Sequence, residues 1–172
     1  MKLVRETKRY TQFGTFSVVV LLLPALYFSV VAIWTALSSG SVKTIHLLLI
    51  GVFVACLLVF YRLTITLDGD HVSFKMGIGL FGRSYKLSDI KCCKAVKNSP
   101  LYGIGIRFIL NGWLYNVSGL GAIELHFKNR KSVVRIGTDK AGEISARVEA
   151  MLSDYTARDN GVGEKKSASN PK

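Results

Sequence analysis

The sequence predicts a membrane α-helical hairpin followed by a mainly-β domain, a bent sheet or barrel of about seven antiparallel strands capped by a C-terminal helix. Three observations support this class. Two long uncharged apolar stretches stand before residue 62, the apolar period changes from helical to alternating at Arg62, and one amphipathic stripe closes the chain.

Residues 1–15 form a basic N-terminal segment. The first apolar stretch, FSVVVLLLPALYFSVVAIWTAL at 16–37, has 22 residues and no charge, enough for about 33 Å of helix and so for a bilayer core. After the small polar connector SSGSVK, residues 44–61 supply 18 more, with His46 near their start as the polar intrusion. The pair reads as two transmembrane helices, 16–37 and 44–61, with Pro24 kinking the first. A buried hairpin of a soluble protein rarely stays uncharged on every face. A cleaved signal peptide has a shorter apolar core and no second span directly behind it.

Lys2, Arg5, Lys8 and Arg9 precede the first span, the connector holds only Lys43, and Arg62 opens a basic region. The positive-inside rule then turns the connector outward and leaves both termini in the cytoplasm, which makes this a protein of the cytoplasmic membrane. The net charge is +12, and 18 of the 23 basic and 10 of the 11 acidic residues lie from Arg62 onward, so that part carries +8. Beside a bilayer the simplest partner for such charge is anionic lipid. No helix-turn-helix, zinc finger or RNA-binding signature points to nucleic acid. Three cysteines, Cys56 and the neighbours Cys92 and Cys93, form no disulfide framework and fit a reducing compartment.

In the cytoplasmic part, residues 62–157, RLTITLDGDHVSFKM gives alternating runs at 63–67 and 71–76 around the turn signal Asp68-Gly69-Asp70. The bend GIGLFG follows, and then RSYKLSDIKCCKAV with two further strand-like stretches. LYGIGIRF and GWLYNVSG flank Asn111-Gly112, a strong hairpin signal, and 122–127 and 132–136 form another hairpin around KNRK. One helix comes last: Thr138 or Asp139 can cap it, and Ile144, Val148, Met151, Leu152 and Tyr155 fall on one face. Residues 158–172 are polar and read as a disordered tail.

A two-span hairpin entering through YRLTI, followed by GIGLFGRSYKLSDI and then YGIGIRF, GWLYNVSG and AIELHFKNRKSVVRIGTD, resembles the bacterial pleckstrin-homology-like membrane protein family. The resemblance covers residues 16–155 and rests on pattern and local phrases, without catalytic signatures. It implies a pleckstrin-homology-like barrel with the helix plugging its open end. It also implies the two known uses of such folds, head-group recognition and capture of a peptide along a sheet edge. Phosphoinositide-binding members of the wider fold carry a basic cluster on the first hairpin; here that turn is the acidic Asp68-Gly69-Asp70, with Lys75 the nearest base.

Several motifs dissolve on inspection. Gly77-Ile-Gly79-Leu-Phe-Gly82 matches G-x-G-x-x-G by letter, but a dinucleotide site needs a helix to start there, and Arg83-Ser-Tyr-Lys-Leu continues as a strand. Adjacent Cys92 and Cys93 point to opposite faces of a strand and make no metal pair. His71 and His126 sit on strands without a nucleophile pattern. Asn116-Val-Ser118 is a glycosylation sequon that the expected topology keeps on the wrong side. Lys91, Lys94 and Lys97 read as guards of an edge strand. No catalytic, cofactor or metal residue emerges.

The expected function is therefore a non-catalytic interaction or scaffold module at the membrane surface, with a membrane protein or a second copy of itself as partner. Anionic lipid is the alternative partner, through Lys2, Arg5, Lys8, Arg9 and Arg62. A packing or partner surface is expected at Gly103, Gly105, Arg107, Trp113 and Tyr115, with the two glycines on one face of a strand as a strip free of side chains. An enzyme would need a pocket gathering Arg107, Asn116 and His126.

Overall fold

The computed structural model describes residues 7–168. A strand, β1 (Lys8–Phe13), precedes the helices α1 (Thr15–Ser39) and α2 (Thr44–Phe60). Eight strands follow: β2 (Arg62–Asp68), β3 (His71–Met76), β4 (Phe81–Lys86), β5 (Ile90–Lys97), β6 (Gly105–Ile109), β7 (Gly112–Asn116), β8 (Gly121–Phe127) and β9 (Val133–Gly137). A C-terminal helix, α3 (Ala141–Ala168), ends the described chain.

With no charge to hydrate, α1 places its hydroxyls inside its own backbone ladder. Ser29 donates to the Ala25 carbonyl, Thr35 to Ala32 and Ser39 to Thr35, which satisfies them without water. Gly40, at φ 67, closes the helix by donating to the Ala36 carbonyl. The two helices pack together, with Phe28 stacked on Phe53. Ala25 and Ala32 are buried, and residues of this size let helices approach closely. The remaining surface is apolar and open: Leu23, Val30, Ile33, Leu47 and Leu48 are all exposed. Among the described residues α1 alone is long and apolar enough to cross a membrane; α2 is equally apolar but has 17 residues, because Tyr61 already caps it.

The β1 strand is absent from the sequence reading, where residues 1–15 are only a charged leader. It pairs antiparallel with β2 along its whole length, from Lys8 opposite Leu67 to Phe13 opposite Arg62. The helical hairpin is thus an insertion into a β-hairpin, and its two ends are hydrogen-bonded to each other: the Gly14 N–H donates to the Tyr61 carbonyl at 2.8 Å. Glycine is required here, since a Cβ on residue 14 would lie 2.3 Å from the Phe60 carbonyl oxygen.

Two open sheets replace the expected barrel of about seven antiparallel strands. The first has the order β1-β2-β3-β4 and the second β5-β8-β9-β7-β6. All pairings are antiparallel except β7 with β9. That exception arises because β8 and β9 form a hairpin whose second arm slots between β8 and β7, so β8 acts as the crossover. Alternation places Leu63, Ile65, Leu67, Val72, Phe74 and Met76 on the inner face of the first sheet, against Tyr115, Val117, Ile123, Leu125 and Ile136 of the second. Side chains of this size stabilise by about 1.5–3 kcal/mol each when fully buried. From α3, Ile144, Val148 and Leu152 enter the same core, with Met151 and Tyr155 at its margin, as the stripe predicts. Thr138 Oγ1 accepts from Lys140 N just before this helix. The helix runs on to Ala168, past the expected boundary at 157.

The run around Asn111 differs from its prediction. Ser99-Pro100 starts a 3-10 turn at Pro100–Tyr102, with the Ser99 hydroxyl accepting from Leu101 N, so β6 begins only at Gly105. Gly103 (φ 59) belongs to that turn, and no strand-long glycine strip exists. The hairpin turn is Leu110-Asn111, and Gly112 is already paired to Ile109. Its glycine serves a close approach instead, because a Cβ there would meet the Val133 carbonyl oxygen at 1.8 Å.

Candidate functional site

Four strands are sheet edges; one lies under a helix and another is held by side-chain hydrogen bonds. The β5 edge lies under α3, where the Glu149 carboxylate accepts from the Cys93 N–H at 2.5 Å; Lys91, Lys94 and Lys97 are exposed on it, in keeping with edge protection. The β1 edge is tied down by the Tyr10 hydroxyl, which donates to Glu143 at 3.0 Å, and by Gln12 Nε2, which donates to the Ser118 carbonyl at 3.0 Å. The other two, β4 and β6, face each other across a gap.

The sequence FGRSYK has no consistent apolar face, and accordingly five of the six β4 residues are exposed, with Tyr85 intermediate. Two adjoining cavities lie along the gap. One, of 380 Å³, is walled by Arg83 and Tyr85, by Phe108 and Trp113, and by Arg130 and Lys131 of the β8–β9 turn. The second, of 420 Å³, shares Arg83, Trp113 and Tyr115 with it and continues toward Leu80, Phe81 and Ile106. Three cations line the first cavity, and no acidic residue lines either among the described residues.

Aromatic rings hold this seam in shape. Phe108 and Trp113, 71% and 43% exposed, meet edge to face at 5.6 Å. The Arg130 guanidinium lies 3.6 Å from the Phe127 ring centroid and 5.6 Å from that of Tyr85, a cation–π arrangement that fixes the side chain. Burial raises the Tyr85 hydroxyl above its usual range, and Tyr115 adds to this against the opposing pull of Arg83 and Arg130. The phenol therefore stays protonated and a donor at neutral pH. The arrangement combines unpaired strand edges, aromatic walls and cationic donors, which suits an extended backbone carrying negative charge.

The residues named from sequence separate into distinct places. Trp113 and Tyr115 share a face of β7 and line the seam, although Tyr115 is buried against Phe74 at 4.5 Å between centroids. Gly103, Gly105 and Arg107 instead face the base of α1, so the single expected surface is two. Lys8 and Arg9 belong to β1, and Arg62 lies over the Tyr61 ring and donates to the Gly77 carbonyl at 3.2 Å. Lys2 and Arg5 are outside the described residues. Arg107, Asn116 and His126 do not gather in a pocket. Asn116 is buried and donates to the Gly103 and Gly119 carbonyls, whereas His126 lies 2.7 Å from Glu124, whose other oxygen accepts from Arg135 at 2.5 Å.

The glycine motif at 77–82 covers a four-residue turn, 77–80, and the first two residues of β4, with Ile78 N donating to the Leu58 carbonyl. Among the described residues no three His, Cys, Asp or Glu side chains group as a metal site. Sequence reasoning passed over Arg83, Tyr85, Arg130 and Lys131. The signal was the unpatterned β4 itself, since a strand without an apolar face belongs at an edge. No protein-family model and no curated protein sequence matches the chain.

Proposed function

We propose that the protein is a membrane-anchored, non-catalytic interaction module whose pleckstrin-homology-like β domain captures an extended acidic segment of a membrane-protein partner. The observation that carries this reading is the seam itself: two unpaired strand edges facing each other across a gap with three lining cations and, among the described residues, no lining acid. A strand added there would gain main-chain hydrogen bonds from β4 or β6, with pockets between the aromatic rings for alternate side chains.

In this reading α1 and α2 both cross the cytoplasmic membrane, and both termini are cytoplasmic. The wide exposure of apolar side chains on the helices supports a bilayer around them. A 17-residue α2 extends about 26 Å, close to the bilayer core once Tyr61 is added at the interface. The β1–β2 pairing supports an even number of crossings, because Phe13 before α1 sits opposite Arg62 after α2. The same pairing argues against a cleaved leader, since cleavage would remove a strand from the sheet. A four-strand meander, a second sheet and a closing helix support the pleckstrin-homology-like plan.

The test is a photoreactive phenylalanine analogue at Phe108 in the full chain, irradiated in native membranes. Expected is a cross-link to a membrane protein that disappears in the Arg83→Glu/Arg130→Glu variant. Cross-links that persist in that variant, or the absence of any protein cross-link from Phe108, overturn the seam as the capture site.

A further inference from the structure

Between the base of α1 and the start of β6 lies a 540 Å³ cavity. Its α1 wall is Phe16, Val20 and Leu21, with Phe60 beside them; its opposite wall is Ile104 with the glycines 103 and 105, which contribute backbone and no bulk. Ser17 also faces it, but its hydroxyl is bonded inward to the Val117 carbonyl, so the α1 wall is apolar. Phe16 and Val20 are exposed, so the apolar surface of the membrane helix runs without interruption into the cavity.

Among the described residues one charged side chain lines it. Arg107 is exposed, and its guanidinium folds over Gly103, where a Cβ would lie 3.5 Å from Nη2. Among the described residues no acid lines the cavity. The first turn of α1, which ends at this wall, carries neither a capping side chain nor an acid and so adds its positive end. A single cation at the mouth of an apolar cavity, level with the end of a membrane helix, matches the two halves of one ligand class.

We infer that this cavity holds one anionic phospholipid of the adjoining leaflet, with its phosphate on Arg107 and an acyl chain along Val20 and Leu21. The inference rests on the membrane reading above but uses a different surface from the seam. It assigns Gly103 and Gly105 a role: their missing side chains leave room for the lipid and the guanidinium.

The experiment uses the full chain in nanodiscs of equal phosphatidylglycerol and phosphatidylcholine, released into the gas phase for native mass spectrometry. The wild type is expected to retain one phosphatidylglycerol in preference to phosphatidylcholine. Arg107→Gln lowers that preference about tenfold, the worth of one charge-assisted contact, and Arg107→Lys restores part of it. Val20→Trp fills the cavity and removes retention of either lipid. Equal retention by wild type and both Arg107→Gln and Val20→Trp overturns the site, as does retention without head-group preference. Displacement of the lipid by excess inorganic phosphate alone overturns the lipid assignment in favour of a free anion. A chain that fails to enter the discs overturns the membrane reading together with this one, whereas normal insertion without lipid preference overturns this one alone.

Discussion

Thr11 in β1 and Thr64 in β2 are opposite residues whose hydroxyl oxygens lie 3.1 Å apart. Replacing both with cysteine, after changing Cys56, Cys92 and Cys93 to alanine, puts two thiols where a disulfide forms with little backbone movement. Opposed antiparallel residues have Cα atoms about 4.5–5.5 Å apart, inside the disulfide range. The bridge would join residues 53 apart in sequence, and closing such a loop in the unfolded chain is worth about 4 kcal/mol by the chain-entropy relation. If the two helices stay paired when the β domain unfolds, only about 8 flexible residues remain in the loop and the gain falls to about 2.5 kcal/mol. Either figure raises the melting midpoint by roughly 10 °C or more for a domain of this size. The assay is mobility on a non-reducing gel after mild oxidation, followed by a melt with and without reductant. Absence of an intramolecular bridge, or a bridge that leaves the midpoint unchanged, refutes the β1–β2 pairing and with it the placement of both hairpin ends on one side.

Three further outcomes are expected. Gly14→Val forces a side chain against the Phe60 carbonyl and strains the Gly14–Tyr61 hydrogen bond, costing about 2–4 kcal/mol, read as a lower melting midpoint. Burial pushes the Glu124 carboxyl upward, but Arg135 and then His126 outweigh it, so its folded pKa is depressed. Its stabilisation is complete above an unfolded pKa of about 4.3 and is lost as pH falls through the folded value; Glu124→Gln destabilises by about 1.5–3 kcal/mol at neutral pH and flattens the acid limb of a stability-against-pH curve. Burial, with Glu149 and Cys92 adding to it, pushes the Cys93 thiol up to about 12. Alkylation at mildly alkaline pH, mapped by mass spectrometry, should therefore modify half-buried Cys92 well before Cys93.

Composition suggests Arg62 as a domain boundary, yet a fragment beginning there would leave β2 without its β1 partner. Leu63, Ile65 and Leu67 are read correctly as core because a strand's alternation is local and needs no partner to be visible. KRYTQF alternates in burial but not in apolar residues, since Tyr10 and Phe13 are three apart, so the strand is hidden behind its charges. The G-x-G-x-x-G match fails for a local reason, since no helix begins at Phe81. The glycine-rich run at 102–119 fails for a distant one: Gly112 answers to Val133, a neighbour in space through the parallel pairing of β7 and β9.

Residue types and their periods by themselves determined the apolar helices, most of the strands, the core faces and the stripe on α3, because each depends on which side of an element is apolar. Only the tertiary structure decided that β1 joins the sheet, that two sheets stay open and that β4 and β6 face each other. Strand order is set by which edges bury most when brought together, a property of pairs of distant segments that no single segment records. The seam and the cavity beside α1 are both gaps between such segments, so their residues look ordinary until the fold puts Arg83 near Arg130 and Arg107 beside the long apolar helix.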